Sequence, residues 1–407
     1  MSEILSNIHY NVGYALGEHT EAMARLQEQA ATGSRINRVS DAPSEAYQLL
    51  GLNSQLRNLG NYMSGLSEVI GMLEVSSTVI SGGSTEEEAG IMEIFTDAKE
   101  LLASVTDTDG TIGQVVNVKA IDNYLEQTVL LANSKYMNQY LFSGSDTNLA
   151  PYLVERTNGK ITYVTYQGSS EDRNIEVAPG MQSSVFHIGE DIFCSNNRSD
   201  PEFLLNSTGA QLGTGTSSIT GYTWLAITHD TVNSEYVLSI DDGVSSISVP
   251  DDGSGSANLA LTDSRTGQVL YVDTTEISSA GVELVSVAGT HDIFNTLITL
   301  RDIFENENGL SSDQVRTLRG DLLEAVEEMS NLLMKDSIFM GSKMEFLNNI
   351  RSNLEDMEFN TEDEKTRLEE ADIAQIAIDL TRREVLYEMS LSVAAKLLSM
   401  SLLDFLR

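Results

Sequence analysis

The chain is poor in several things at once: one cysteine, one tryptophan, five prolines, and only 24 lysines and arginines against 61 aspartates and glutamates in 407 residues. With Cys194 alone, no internal disulfide framework can form, and with no neighbouring His or Cys no zinc site or activated thiol is indicated. A net charge of −37 without a Lys/Arg cluster argues against nucleic acid and anionic membranes as partners, because both recruit clustered cations. No cleavable leader is expected: the first cation is Arg25, Glu3 stands where a basic region belongs, and Asn7, His9 and Asn11 interrupt any apolar stretch. The most apolar run, Met389 to Leu406, holds Lys396 near its centre, which costs about 2.5–3.5 kcal/mol in a bilayer. Ser390, Ser392, Ser399, Ser401 and Asp404 dilute it further, so an assembly helix is expected there and no membrane insertion.

Signs of catalysis are equally sparse. His9, His19, His187, His229 and His291 are scattered, with no HExxH and no pair at helical spacing. The glycine-rich run from Gly209 to Gly221 has no lysine to hold a phosphate. Asp107-Thr108-Asp109-Gly110 hints at a calcium loop, but Val105 and Val116 would fill its first and last ligand positions. No catalytic residue, cofactor or metal ligand is assigned, and the chain is expected not to be an enzyme.

Periodicity is what the chain has in quantity. Leu49, Leu52, Leu56, Leu59, Met63, Leu66, Ile70 and Leu73 alternate in steps of three and four, which aims one stripe of a long helix at a partner. Ser40 or Asp41 is placed to cap that helix, with Pro43 in its first turn and Glu45 behind. After a break at Ser81 to Ser84, Ile91, Ile94, Ala98 and Leu101 continue, then Asp107 to Gly113 interrupts, then Val118, Ile121, Leu125, Val129 and Ala132 resume. Val315, Leu318, Leu322, Ala325, Met329 and Leu332 repeat the rhythm downstream. Leu347, Ile350, Leu354 and Met357 follow in a register shifted by one residue, which predicts a local change of winding.

Between the helical blocks the period shortens to two. Ile161 to Tyr166, Trp224 to Thr228, Tyr236 to Ile240, Val269 to Val272 and Val282 to Val287 are candidate strands, with Asp242-Gly243 and Asp252-Gly253 as hairpin turns. The expected fold class is α+β: an elongated bundle of long terminal and heptad helices with a β-rich domain inserted in the middle. Residues 1–42 would be an N-terminal assembly helix, 43–150 and 288–370 the two halves of the bundle, 151–287 the β-rich outer insert, and 371–407 a C-terminal assembly helix.

The terminal helices carry the apolar stripes of greatest interest. Ile4, Ile8, Val12, Ala15, His19, Ala22 and Leu26 line one; Leu380, Tyr387, Leu391, Ala394, Leu398, Leu402 and Phe405 line the other. The last helix has a second apolar face in Ile378, Val385, Met389, Val393, Met400 and Leu403, which one neighbour cannot cover. Charge agrees with contact between copies at the ends: residues 1–45 sum to −3 and 371–407 to −1, leaving −33 for the middle.

Several motifs carry a resemblance to a known family. Ala30 to Ala46 (AATGSRINRVSDAPSEA), Tyr140 to Tyr152 (YLFSGSDTNLAPY), Tyr166-Gln167-Gly168, Gly189 to Phe193 (GEDIF), Asp292 to Asp302 (DIFNTLITLRD), Gly341 to Glu358, Glu370 to Ala374 (EADIA) and Ser401 to Leu406 (SLLDFL) occur in order. Together they resemble the flagellin superfamily, and within it the hook–filament junction proteins, the hook-associated proteins of the third type. One departure is Ala42, where that family usually has a second Asp; losing a carboxylate at a helix start costs about 0.3–1 kcal/mol.

The resemblance implies a structural subunit of the bacterial flagellum that joins hook to filament and templates flagellin assembly. It implies a homo-oligomeric ring, a hook-associated adaptor protein on the hook side, flagellin on the filament side and a flagellar export chaperone. It also implies an extracellular, flagellar location reached through the flagellar type III apparatus. The assembly interface expected from stripes and motif together comprises Ile4, Ile8, Val12, Leu26, Arg35, Asn37, Asp41, Leu380, Tyr387, Leu391, Leu398, Leu402 and Phe405. A filament flagellin, or a flagellin-like adhesin acting through the insert, are the alternative readings.

Overall fold

The computed structural model describes residues 2–83, 89–104, 111–171, 174–184 and 188–405, with the side chains of 2–9, 111–114 and 397–405 excepted. In chain order come α1 (Ser2–Thr32), α2 (Pro43–Ser81), α3 (Ile91–Ser104) and α4 (Thr111–Ala132), then β1 (Lys135–Tyr136), β2 (Gln139–Tyr140), β3 (Tyr152–Thr157), β4 (Lys160–Tyr166), β5 (Asn174–Ala178) and β6 (Met181–Ser184). A short α5 (Gly189–Phe193) leads to β7 (Glu202–Phe203), β8 (Gln211–Leu212), β9 (Gly221–Asp230), β10 (Glu235–Ser239), β11 (Ile247–Pro250), β12 (Leu259–Thr262), β13 (Val269–Asp273) and β14 (Gly281–Val287). Three helices close the chain: α6 (Ile293–Glu305), α7 (Ser312–Glu369) and α8 (Ile373–Phe405). The α+β class is as expected, with helices at both ends and antiparallel sheets between them. The calcium-like Asp107 to Gly110 and His187 lie outside the described residues.

Two compact units divide the chain, residues 1–64 with 349–407 and residues 65–348; α2 and α7 contribute to both. In the first, α1 and α8 lie side by side. They run antiparallel, since Gly33 at the end of α1 bonds Ala371 at the start of α8 while His19 meets Arg383 further along. The predicted seam of α2 faces inward throughout: Leu49, Leu59, Leu66, Ile70 and Leu73 are buried, and Leu52, Leu56 and Met63 half-buried.

In α7 the expected register slip is replaced by one unbroken seven-residue line. Val326, Leu333, Met340, Leu347, Leu354 and Thr361 are all buried, while Met357 is exposed. The three-four pattern over Leu318 to Met329 had masked that line, because a wider face is buried there. The helix resumes at Thr111 rather than after Gly113, so its first turn overlaps the stretch expected to be a break.

The β-rich part of the second unit contains a module with its own core. Strands β11-β10-β9-β14-β7 form one antiparallel sheet and β12-β13-β8 another. Leu225, Ile227, Leu238 and Val285 from the first pack with Leu261, Leu270 and Val272 from the second. Asp242-Gly243, both in the left-handed region (φ 56° and 84°), turn the chain within the longer loop, residues 240–246, that joins β10 to its antiparallel neighbour β11. Asp252-Gly253 does not make a hairpin: it follows β11 in the passage to β12, which belongs to the other sheet. The dipeptide fits any tight turn, and only sheet membership separates the two uses.

Candidate assembly interface

The turn joining α1 to α2 is clasped onto the junction of α7 and α8. Gly33 ends α1 with φ +71°, a conformation a side chain resists, and its N–H bonds the Gln29 carbonyl at 2.9 Å. The chain then pairs across: Arg35 N–H donates to the Glu369 carbonyl (2.7 Å), Ala371 N–H to the Gly33 carbonyl (3.0 Å), and Ser34 bridges Glu370. The Arg35 guanidinium reaches the Leu368 carbonyl at 3.1 Å and pairs with Glu45, so one side chain ties the turn, the start of α2 and the end of α7. Asn37 donates to the Ser34 carbonyl (3.3 Å) and accepts from the Thr32 hydroxyl (3.0 Å). Beneath them Ile36, Ala46 and Leu49 are buried, with Ala42 and Leu368 packed alongside.

Asp41 works differently from expectation. Its Oδ2 accepts from the backbone N–H groups of Arg38 (2.9 Å) and Asn37 (3.3 Å), so it stabilises the turn behind it and does not cap α2. The first helical bond runs from Ala46 N–H to the Ala42 carbonyl at 2.8 Å. Ala42 thus occupies the cap position, and its methyl group offers no acceptor.

Arg35, Asn37 and Asp41 are therefore brought together in one turn, as the motif suggested. Along α1, Val12, Ala15, His19, Ala22 and Leu26 are half-buried, and along α8 so are Leu380, Tyr387 and Ala394. Leu391 is 44% exposed and lies off the covered face. The side chains of Ile4, Ile8, Leu398, Leu402 and Phe405 lie outside those described. The second face of α8 is open: Ile378 (63%), Val385 (51%), Met389 (60%) and Val393 are exposed, and a shallow apolar groove runs past Ala377, Ile378, Val385 and Leu386. Tyr10 and Tyr14, one turn apart on α1, are exposed as well. Sequence reasoning missed these tyrosines because they fall outside the dominant stripe.

The motifs around Phe142, Tyr152, Tyr166, Phe193 and Asp292 come together in the larger unit. Phe142 and Phe193 meet edge-on at 5.0 Å between ring centroids, and Tyr152 lies 5.3 Å from Tyr166, 6.0 Å from Phe193 and 4.6 Å from Phe294. Gly189 N–H bonds the Phe142 carbonyl at 2.9 Å, and a Cβ there would stand 2.6 Å from the Tyr152 hydroxyl oxygen, so only glycine fits. Asp292 caps α6 by accepting from Phe294 and Asn295 N–H groups, and burial raises its carboxyl even so. Burial, with Asp292 next, pushes the Cys194 thiol far above its ordinary range, which keeps it protonated and unreactive. Among the described residues no group of three or more His, Cys, Asp or Glu is placed to hold a metal, and no helix is long and apolar enough to cross a membrane.

Residues 5–147 match the bacterial flagellin N-terminal helical region, and no curated protein matches the chain. Three solved structures resemble the fold. The flagellar junction protein FlgL of Legionella pneumophila is 17% identical, with 78% of this chain and 99% of that one covered at a TM-score of 0.47. FlgL of Xanthomonas campestris gives 15%, 74%, 99% and 0.47 in the same order, and FlgL of Bacillus cereus 14%, 79%, 100% and 0.43.

Proposed function

From a chain whose residues 5–147 match the bacterial flagellin N-terminal helical region, we propose a structural subunit of the bacterial flagellum that stands between hook and filament. The observation that carries the proposal is the terminal helix pair: α1 and α8 are clasped together at one end, yet among the described side chains α8 leaves Ile378, Val385, Met389 and Val393 open on one apolar face. A contiguous exposed apolar face of that kind marks a surface that other subunits cover. The low charge of both terminal segments supports contact between copies of an otherwise strongly acidic chain. Copies would form a ring, with a hook-associated adaptor protein on one side and flagellin on the other. Before assembly an export chaperone would cover α8, and the type III apparatus would carry the chain outside. The five-part division, with residues 151–287 as an outer insert, belongs to the same proposal.

Electron microscopy of a deletion strain, with the medium assayed for flagellin, tests this reading. Bare hooks and flagellin monomers in the medium are the expected outcome, because the filament would have lost its foundation. Intact filaments would sink the proposal. Growth of the purified protein into long filaments would mark it instead as a filament flagellin, which the N-terminal region fits equally well.

A further inference from the structure

Asp321 and Glu328 lie two turns apart on one face of α7, and both are engaged by the β-module. Asp321 Oδ2 accepts from the Tyr222 hydroxyl at 2.7 Å. Across the sheet Tyr222 pairs with Ser286. Ser286 Oγ stands 3.4 Å from His291 Nε2, and His291 Nδ1 stands 3.0 Å from Glu328 Oε2. The rings of Tyr222 and His291 lean together at 4.7 Å, and Gly289 N–H bonds Glu328 Oε2 as well at 3.3 Å. Two hydrogen-bonded anchors on α7, Asp321–Tyr222 and Glu328–His291–Ser286, are thus joined by the contact between the Tyr222 and His291 rings, and Tyr222, Ser286 and His291 are almost fully buried.

Electrostatics explains the need for such a device. Residues 202–287 contain eleven Asp and Glu and a single cation, Arg265, while α7 presents Asp321, Glu324, Glu327 and Glu328 within two turns. Charge alone would push these surfaces apart. A hydroxyl and an imidazole satisfy two of the carboxylates, and because the Tyr222 and His291 rings pack on each other, displacing either ring disturbs the bond made by the other.

We propose that this cluster is a conformational clamp that locks the β-module to α7, and that either anchor holds only while the other is made. The proposal is independent of the flagellar reading. A double-mutant cycle in the full-length protein tests it, with Tyr222→Phe and Glu328→Gln, two residues that share no hydrogen bond. Amide hydrogen exchange in β9 and β14 is the readout, and exchange in β12 and β13 reports whether the module itself remains folded. Each single variant should speed exchange in β9 and β14 by about threefold to thirtyfold. The double variant should add less than about twofold to the worse single, with β12 and β13 unchanged. Rates in the double equal to the product of the two singles, or a β9 indifferent to Glu328→Gln, would overturn the clamp. Asp321→Asn, which keeps the Tyr222 ring, replaces Tyr222→Phe if that variant does not fold.

Discussion

The two units bury their side chains to very different degrees, and α2 displays the contrast within one helix. From Pro43 to Ser64 only Ala46, Leu49 and Leu59 are buried; from Gly65 to Ser81, Leu66, Val69, Ile70, Met72, Leu73, Ser76, Val79 and Ile80 all are. Among the described side chains none in α1 is buried, and in α8 only Ile376. The larger unit closes its own cores, whereas the terminal unit holds half of one. Stability and assembly should therefore separate: substitutions in the larger unit should unfold the monomer, and those on α8 should leave the monomer intact while preventing it from joining others.

That separation can be broken from either side. Phe193→Ala empties the centre of the aromatic cluster and should cost about 3–5 kcal/mol in chemical denaturation, with assembly lost only through unfolding. A loss under about 1 kcal/mol would mean the cluster does not hold the larger unit. Arg35→Ala removes the tie between the turn and the end of α7. It should cost about 1–2 kcal/mol, visible as faster amide exchange in α1 and α8 with the larger unit unchanged.

Asp336 gives a test with pH. Burial pushes its carboxyl up to about 6, with Lys335 opposing and Asp191 adding to the shift. A value raised by folding means the fold disfavours the charged form, so this group's contribution is best at low pH and declines as pH rises through about 6. Asp336→Asn should therefore stabilise by about 1 kcal/mol at pH 7.5, after discounting for half-exposure, and by nothing near pH 3. A gain independent of pH would point to packing instead. Smallest of all, Val385→Ala should move monomer stability by less than about 0.5 kcal/mol, as at any uncovered surface position. A larger loss would show that the open face is covered within the monomer.

Much of this was legible because it repeats locally. The α2 seam, the α1 stripe and the five candidate strands each declare themselves within a few turns or residues, and the structure places them accordingly. Harder were features whose meaning depends on a distant partner. Asp41 has the chemistry of a helix cap, but the turn behind it competes for the same carboxylate. Asn158-Gly159 makes the β3–β4 hairpin with φ 53° and 84°, though its flanking residues alternate too weakly to announce it. The seven-residue line of α7 was hidden by a wider buried face at one end. Tyr222, Ser286, His291 and Glu328 belong to four elements or loops, so no window of sequence holds their relation.

The clasp also sets an order of events. Arg35 bonds the Leu368 carbonyl across 333 residues, so the turn that begins the chain's second helix stays unmade until nearly all the rest has been delivered. Contacts of such long separation form late, because the intervening loop must be closed before they are rewarded. The larger unit can mature while α1 waits. The terminal pair would thus close last, and its grip on neighbours would follow the folding of the larger unit.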